Sequence, residues 1–234
     1  MSTPQRFDIE TGPEALAADR IDAGNGANCL LLHGAGTSHR ARWLALRRAL
    51  AAQGVGSIAI DFSGHGESSA RTPNSLAKRQ REAEAALAHL DGAGPRALIG
   101  ISMSGEIAVR LAADPRNRID RLLTLVGAAY DPAAFELPFG PAFTAVLRTP
   151  GSWRASLAFE RIAQFRGRLT LVRGAEDKVI PAGIADTLAA RAGLAERVEV
   201  IDLPGTGHLL GEAWQNQPGF AARLSAIALG AVGA

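Results

Sequence analysis

Cysteine is nearly missing from this chain. The single Cys29 rules out an intramolecular disulfide and fits a reducing compartment. Lysine is almost as scarce, present only as Lys78 and Lys178, so arginine carries the positive charge, and 25 basic side chains nearly cancel 23 acidic ones. A balance this even gives no reason to expect nucleic acid as a partner. Arg40, Arg42, Arg47 and Arg48 do gather, but in one predicted helix, where they are expected to form its solvated face. No run approaches the ~18 apolar residues of a membrane span. The first ten residues hold no apolar signal core, so a cytoplasmic chain without a membrane span is expected. His-Glu-x-x-His and Cys/His clusters are absent, so no metal is expected. The third glycine of a dinucleotide loop is also missing, since Gly34-x-Gly36 is followed by His39. No cofactor is therefore expected.

What the chain does contain is a regular alternation. Cys29 to Leu32, Val55 to Ile60, Ala97 to Ile101, Arg121 to Val126, Leu169 to Val172 and Val198 to Leu203 are short apolar runs. Runs of this kind suit strands buried on both faces. Helical patterns separate them. Trp43, Leu46 and Leu50 share one face of the first, Leu76, Ala83, Leu87 and Leu90 one face of the second, and Phe220, Leu224 and Ile227 one face of the last. Pro181 opens another helix at its tolerated first turn. Two short strands, Phe7 to Glu10 and Ala18 to Ala23, come first. The pattern predicts an α/β fold, a mostly parallel sheet with helices on both faces. One domain is expected over residues 1–234. The stretch 127–166 breaks the alternation, being rich in proline and glycine and holding most of the aromatics.

Ligands of such sheets bind beyond the carboxyl ends of the strands. His33-Gly34-Ala35-Gly36, Ser102, Asp177 and His208 all fall at predicted strand ends. Gly100-Ile101-Ser102-Met103-Ser104 is a G-x-S-x-G nucleophile elbow with Ser104 in place of the last glycine. The strand-to-helix turn is tight, so only small residues fit two positions before and after the serine. The turn lifts the hydroxyl off the sheet, into the positive end of the helix dipole. A serine hydroxyl needs a base to take its proton and an acid to orient that base. His208, after a glycine-containing loop, is the candidate base. Asp177 is the candidate acid, with Glu176 and Asp131 as competitors.

Taken together, His33-Gly34, Asp61 with Gly64-His65-Gly66-x-Ser68, the elbow, Gly174-x-x-Asp177 and Gly207-His208 make the chain resemble the α/β-hydrolase superfamily across residues 28–215. The order nucleophile, acid, histidine is that of this fold. The resemblance implies an α/β-hydrolase fold with Ser102, Asp177 and His208 as catalytic triad. It places the oxyanion hole at the backbone amides of Ala35 and Met103, Ala35 by position alone. It makes His33 and His65 structural histidines, has Asp61 brace the turn beneath the site, and puts a short lid within 127–166. Phe139 and Trp153 of that lid are candidate substrate-binding residues.

The implied activity is a serine hydrolase. It would cleave a small-molecule carboxylic ester or thioester with a small to medium acyl group through an acyl-enzyme. Serine at the elbow speaks against haloalkane dehalogenase and epoxide hydrolase chemistry, which resembling families run from an aspartate. A C–C bond hydrolase, a lyase or a cofactor-free perhydrolase on the same triad remain open, as does a non-catalytic ligand-binding protein of this fold.

Overall fold

The computed structural model describes residues 3–233. Eight strands form one sheet: β1 (Gln5–Thr11), β2 (Glu14–Ile21), β3 (Cys29–Leu32), β4 (Ser57–Ile60), β5 (Ala97–Ile101), β6 (Arg121–Leu125), β7 (Arg168–Gly174) and β8 (Arg197–Leu203). Their spatial order is β1-β2-β4-β3-β5-β6-β7-β8. The β1–β2 and β2–β4 pairs are antiparallel, and every pair from β4 to β8 is parallel. Every residue of β3, β4, β5 and β6 is buried, which is why these strands read as largely apolar runs. Cys29 heads β3 with no exposed surface.

The helices are α1 (Leu44–Ala51), α2 (Leu76–Leu87), α3 (Ser104–Ala113), α4 (Pro132–Phe135), α5 (Pro141–Arg148), α6 (Ala158–Arg161), α7 (Gly183–Arg191), α8 (Leu210–Asn216) and α9 (Phe220–Val232). One apolar core joins a face of the sheet to α2, α3, α6 and α7, and a second joins the other face to α1, α8 and α9. Ser75 caps α2 by accepting the Lys78 N–H at 3.1 Å, in the manner of a serine N-cap. Among the described residues, no helix is long and apolar enough to cross a membrane.

This order positions the site. The chain leaves β3 through α1 on one face of the sheet and returns from β4 through α2 on the other, so the winding reverses beside β3. A reversal of this kind opens a crevice at the strand carboxyl ends. The neighbours at the reversal are β3 and β5, with Leu32 opposite Gly100. The His33–Gly36 loop and Ser102 therefore emerge side by side.

One expectation needs correcting. Of the four arginines expected on a solvated helix face, Arg42 and Arg48 are exposed, but Arg40 is 4% and Arg47 0% exposed. Arg40 pairs with Asp19, Asp61 and Glu67, and Arg47 pairs with Asp19 and bonds Ser57. Their carboxylates come from β2 and the β4 end, which lie beneath this segment. Burial of paired guanidinium groups outweighs the local pattern. Arg40–Trp43 also forms a separate 3-10 turn before α1.

Candidate active site

Ser102 joins β5 to α3 with φ of +50°, a conformation that a residue with a Cβ rarely adopts. Three hydrogen bonds hold it there. Its N–H donates to Leu125 O at 2.9 Å, and its own carbonyl accepts the N–H groups of Gly105 and Ala128 at 2.8 and 2.9 Å. The small neighbours follow from sterics. A Cβ on Gly100 would come within 2.6 Å of Ser104 O. Ser104 fits where a glycine was expected, because its hydroxyl turns away from the strand and donates to His33 O at 2.5 Å.

The Ser102 hydroxyl lies 2.9 Å from His208 Nε2. His208 sits in the loop after β8, and its Nδ1–H donates to Asp177 Oδ2 at 2.9 Å. The carboxylate can only accept at Nδ1, so Nε2 is left to accept from the serine. The other Asp177 oxygen accepts the N–H groups of Val179 and Ile180 at 2.8 and 2.9 Å. Asp177 is thus held from both sides, with its side chain 3% exposed. The competitors are placed elsewhere. Glu176 is exposed and uses its backbone, donating to Thr206 O at 2.9 Å. Asp131 caps α4 through the Ala133 N–H at 2.8 Å.

The loop after β3 closes the site from the other side. A Cβ on Gly34 would lie 3.1 Å from Ser102 Cβ, so the backbone there passes against Ser102. Among the described residues, the Ala35 and Met103 N–H groups find no protein acceptor. His33 supports this loop from below. Its Nδ1–H donates to Gly34 O at 2.7 Å and its Nε2 accepts the Phe62 N–H at 3.1 Å. Burial, together with the nearby Arg79, holds the His33 pKa well below its ordinary value, so the imidazole is neutral. Asp61 accepts the Arg40 N–H at 2.7 Å and the Glu67 N–H at 3.0 Å, bracing the turn after β4.

A cavity of about 650 Å³ opens at Ser102 and His208, between the start of α1 and α8. Trp43, Leu46, Val126, Leu210 and Trp214 give it apolar walls, and exposed Arg42 and Glu212 lie at its edge. Sequence reasoning placed Trp43 on a helix face without a site role and did not single out Trp214. Neither Phe139 nor Trp153 lines this cavity. Phe139 packs on Phe143 with ring centroids 4.8 Å apart, and Trp153 meets Phe159 edge-on at 6.0 Å.

No curated protein matches this sequence. Among solved structures, the thioesterase domain from the curacin biosynthetic pathway matches with a TM-score of 0.73 and 18% identity, over 97% of this chain and 99% of that one. An esterase of Pyrococcus furiosus matches with a TM-score of 0.71 and 17% identity, over 97% and 91% of the two chains. Est1E from Butyrivibrio proteoclasticus, solved with ferulic acid bound, matches with a TM-score of 0.71 and 17% identity, over 97% and 100%. At these identities the likeness is one of fold. The profile described as the alpha/beta hydrolase family matches residues 29–172, a span that holds the β3 loop, the elbow, the whole of β3 to β6 and most of β7. With the sheet order and the winding reversal already in place, this chain belongs to the alpha/beta hydrolase family.

Proposed function

We propose that the protein is a serine hydrolase of small carboxylic esters or thioesters that works through an acyl-enzyme. One observation carries this reading: the unbroken run from Ser102 through His208 to Asp177, two contacts of 2.9 Å each. His208 Nε2 takes the Ser102 proton as Oγ attacks the carbonyl carbon. Asp177 holds the imidazole in the tautomer that can accept and stabilises it once charged. The free N–H groups of Ala35 and Met103 receive the oxyanion. His208 then returns the proton to the leaving alcohol or thiol. A water activated by the same nitrogen releases the acid. The larger arm of the substrate lies in the cavity between Trp43 and Trp214, and residues 127–166 form a packed cover on the same domain rather than the pocket wall.

The reading is tested by labelling with an organophosphonate, which should modify each chain once, on the peptide holding Ser102. Ser102→Ala should abolish labelling and lower kcat on the order of 10⁶-fold. Label on another residue, or ester turnover retained in Ser102→Ala, refutes it. A C–C bond hydrolase would label but fail on aryl esters. A non-catalytic binder would leave them unhydrolysed.

A further inference from the structure

Arg79, on α2, is 1% exposed. Burying a guanidinium is costly unless an opposite charge meets it. Arg40, Arg47, Lys78 and Arg110 are buried cations that each meet a carboxylate. Among the described residues, Arg79 has no carboxylate within 4.0 Å. Its Nη1 donates to Gly34 O at 3.2 Å and its Nη2 donates to His65 Nε2 at 2.9 Å. His65 is ready to accept there, because its Nδ1–H donates to Ser63 O at 3.1 Å. The guanidinium also lies over the Phe62 ring, 4.7 Å from the centroid. Burial lowers the Arg79 pKa to about 10, which still leaves it charged at neutral pH.

The acceptor gives this cation its meaning. Gly34 C=O belongs to the same peptide unit as the Ala35 N–H. In a trans peptide the two bonds point in opposite directions and share one conjugated system. Donors on the oxygen therefore turn the N–H away from themselves and make it a stronger donor. Gly34 O receives two of them, Arg79 Nη1 and His33 Nδ1–H, while Ala35 lines the cavity at Ser102.

We propose that Arg79 is a positioning residue for the oxyanion hole. It fixes the Gly34–Ala35 peptide with its N–H turned to the developing oxyanion and sets a desolvated positive charge behind it. The proposal rests on the reading of Ser102 and Ala35 given above.

The test is Arg79→Met, close in shape and uncharged, assayed on p-nitrophenyl acetate, with an aryl boronic acid as the probe of tetrahedral-adduct binding. Loss of an oxyanion donor outright costs roughly 10²- to 10³-fold, so a residue acting through that donor should cost roughly ten- to a hundredfold in kcat. KM should stay within roughly twofold, as befits an interaction made in the transition state alone. Boronate affinity should weaken by the same factor as kcat. The melting temperature should hold or rise, since an uncompensated buried charge has been removed. A folded variant with wild-type kcat and boronate affinity overturns the proposal. So does one whose activity falls only in step with its melting temperature while boronate affinity is kept.

Should Arg79→Met fail to fold, Arg79→Lys carries the test. It keeps the charge but cannot serve both acceptors, so roughly a three- to tenfold loss in kcat and in boronate affinity is expected, and no loss overturns the proposal. Ser102→Ala measured alongside separates the two readings. Turnover retained there defeats the hydrolase reading itself. An inactive Ser102→Ala beside unaffected Arg79 variants defeats only the role of Arg79.

Discussion

The two flanks of Ser102 are both built with aromatic residues and turn out oppositely. On one flank, Trp43 and Trp214 stand on separate segments with a cavity of about 650 Å³ between them. On the other, Met103, Tyr130, Phe135 and Phe143 are buried against one another, with Phe139 packed alongside. That second flank is tied down by a buried carboxylate. Glu106 on α3 accepts the Tyr130 N–H at 2.5 Å and the Ser156 hydroxyl at 2.9 Å, and it pairs with Arg110, whose guanidinium lies 3.6 Å from the Phe135 ring centroid. Aromatics close together in sequence have closed on each other. Aromatics far apart in sequence have left a gap. Local density of aromatic residues therefore marks packing here, and the cavity arises where two distant elements fail to meet.

The comparison depends on Ser102, His208 and Asp177 acting as the line between the flanks, and the largest effect tests that line. Asp177→Asn should lower kcat roughly 10⁴-fold, because the amide favours the wrong imidazole tautomer. Asp131→Asn, on the packed flank, should leave the rate unchanged and touch only the α4 cap. A larger loss in Asp131→Asn would move the acid to the other flank. Next in size is Gly34→Ala. The added methyl would lie 3.3 Å from Ile101 O and 3.1 Å from Ser102 Cβ. The loop must then retreat from the nucleophile, at a cost of roughly 10² in kcat, and steady-state kinetics on a short aryl ester would show it.

The flanks themselves are compared by a chain-length series of esters. Burial contributes about 0.8 kcal/mol per methylene, so kcat/KM should rise up to roughly fourfold per carbon while the chain stays in the cavity. The rise should stop at roughly four to eight carbons. Trp214→Ala should flatten it and leave acetyl esters little changed. Phe139→Ala and Trp153→Ala should lower the melting temperature and leave the profile intact. The reverse pattern would return the pocket to the 127–166 segment, and a rise continuing to roughly sixteen carbons would indicate an open groove for long chains instead.

The smallest effect reads the His33–Gly36 loop through pH. Burial and Arg79 hold the His33 pKa well below 6.5, so the folded chain keeps this imidazole neutral while the unfolded chain protonates it near 6.5. The unfolded state then binds more protons, and stability falls as pH drops below that value, by at most about 1.4 kcal/mol per pH unit. Glu82 and Glu106, both pushed up by burial, act in the opposite sense. Urea unfolding of wild type against His33→Gln between pH 7.5 and 5.5 isolates the histidine, and the variant should show the shallower loss. Equal slopes would mean that His33 is not kept neutral by the fold.

Most of the frame was legible because its signals are short in range. Apolar runs identified β3, β5 and β6, and a chemistry-bearing residue after each of four strand ends located the crevice. Asp177 could be singled out for the same reason, since it follows a strand end in the Gly174-x-x-Asp177 pattern. What stayed hidden depended on distant partners. Arg40 and Arg47 look solvated until Asp19 on β2 is brought beneath them. Trp43 and Trp214 become a pocket only when α8, a helix with no strong signal of its own, settles beside the start of α1. Ala35 N–H and Met103 N–H are backbone groups that no side chain announces, and only the resemblance to the fold pointed to them. Arg79 belongs to none of the sequence motifs, and its importance comes from the acceptor it meets.

Cys29 gives the molecule a built-in reporter. The thiol lies within β3 between β4 and β5, fully covered, and burial raises its pKa to about 12. Thiol reagents and oxidants act on an accessible thiolate, and the native sheet supplies neither access nor charge. Modification must then wait for the centre of the sheet to open. The rate at which a chromogenic disulfide consumes this one sulfur becomes a clock for the rarest and largest fluctuations of the chain. No engineered label is needed to read it, and the same cover spares the sulfur from oxidation for as long as the protein stays folded.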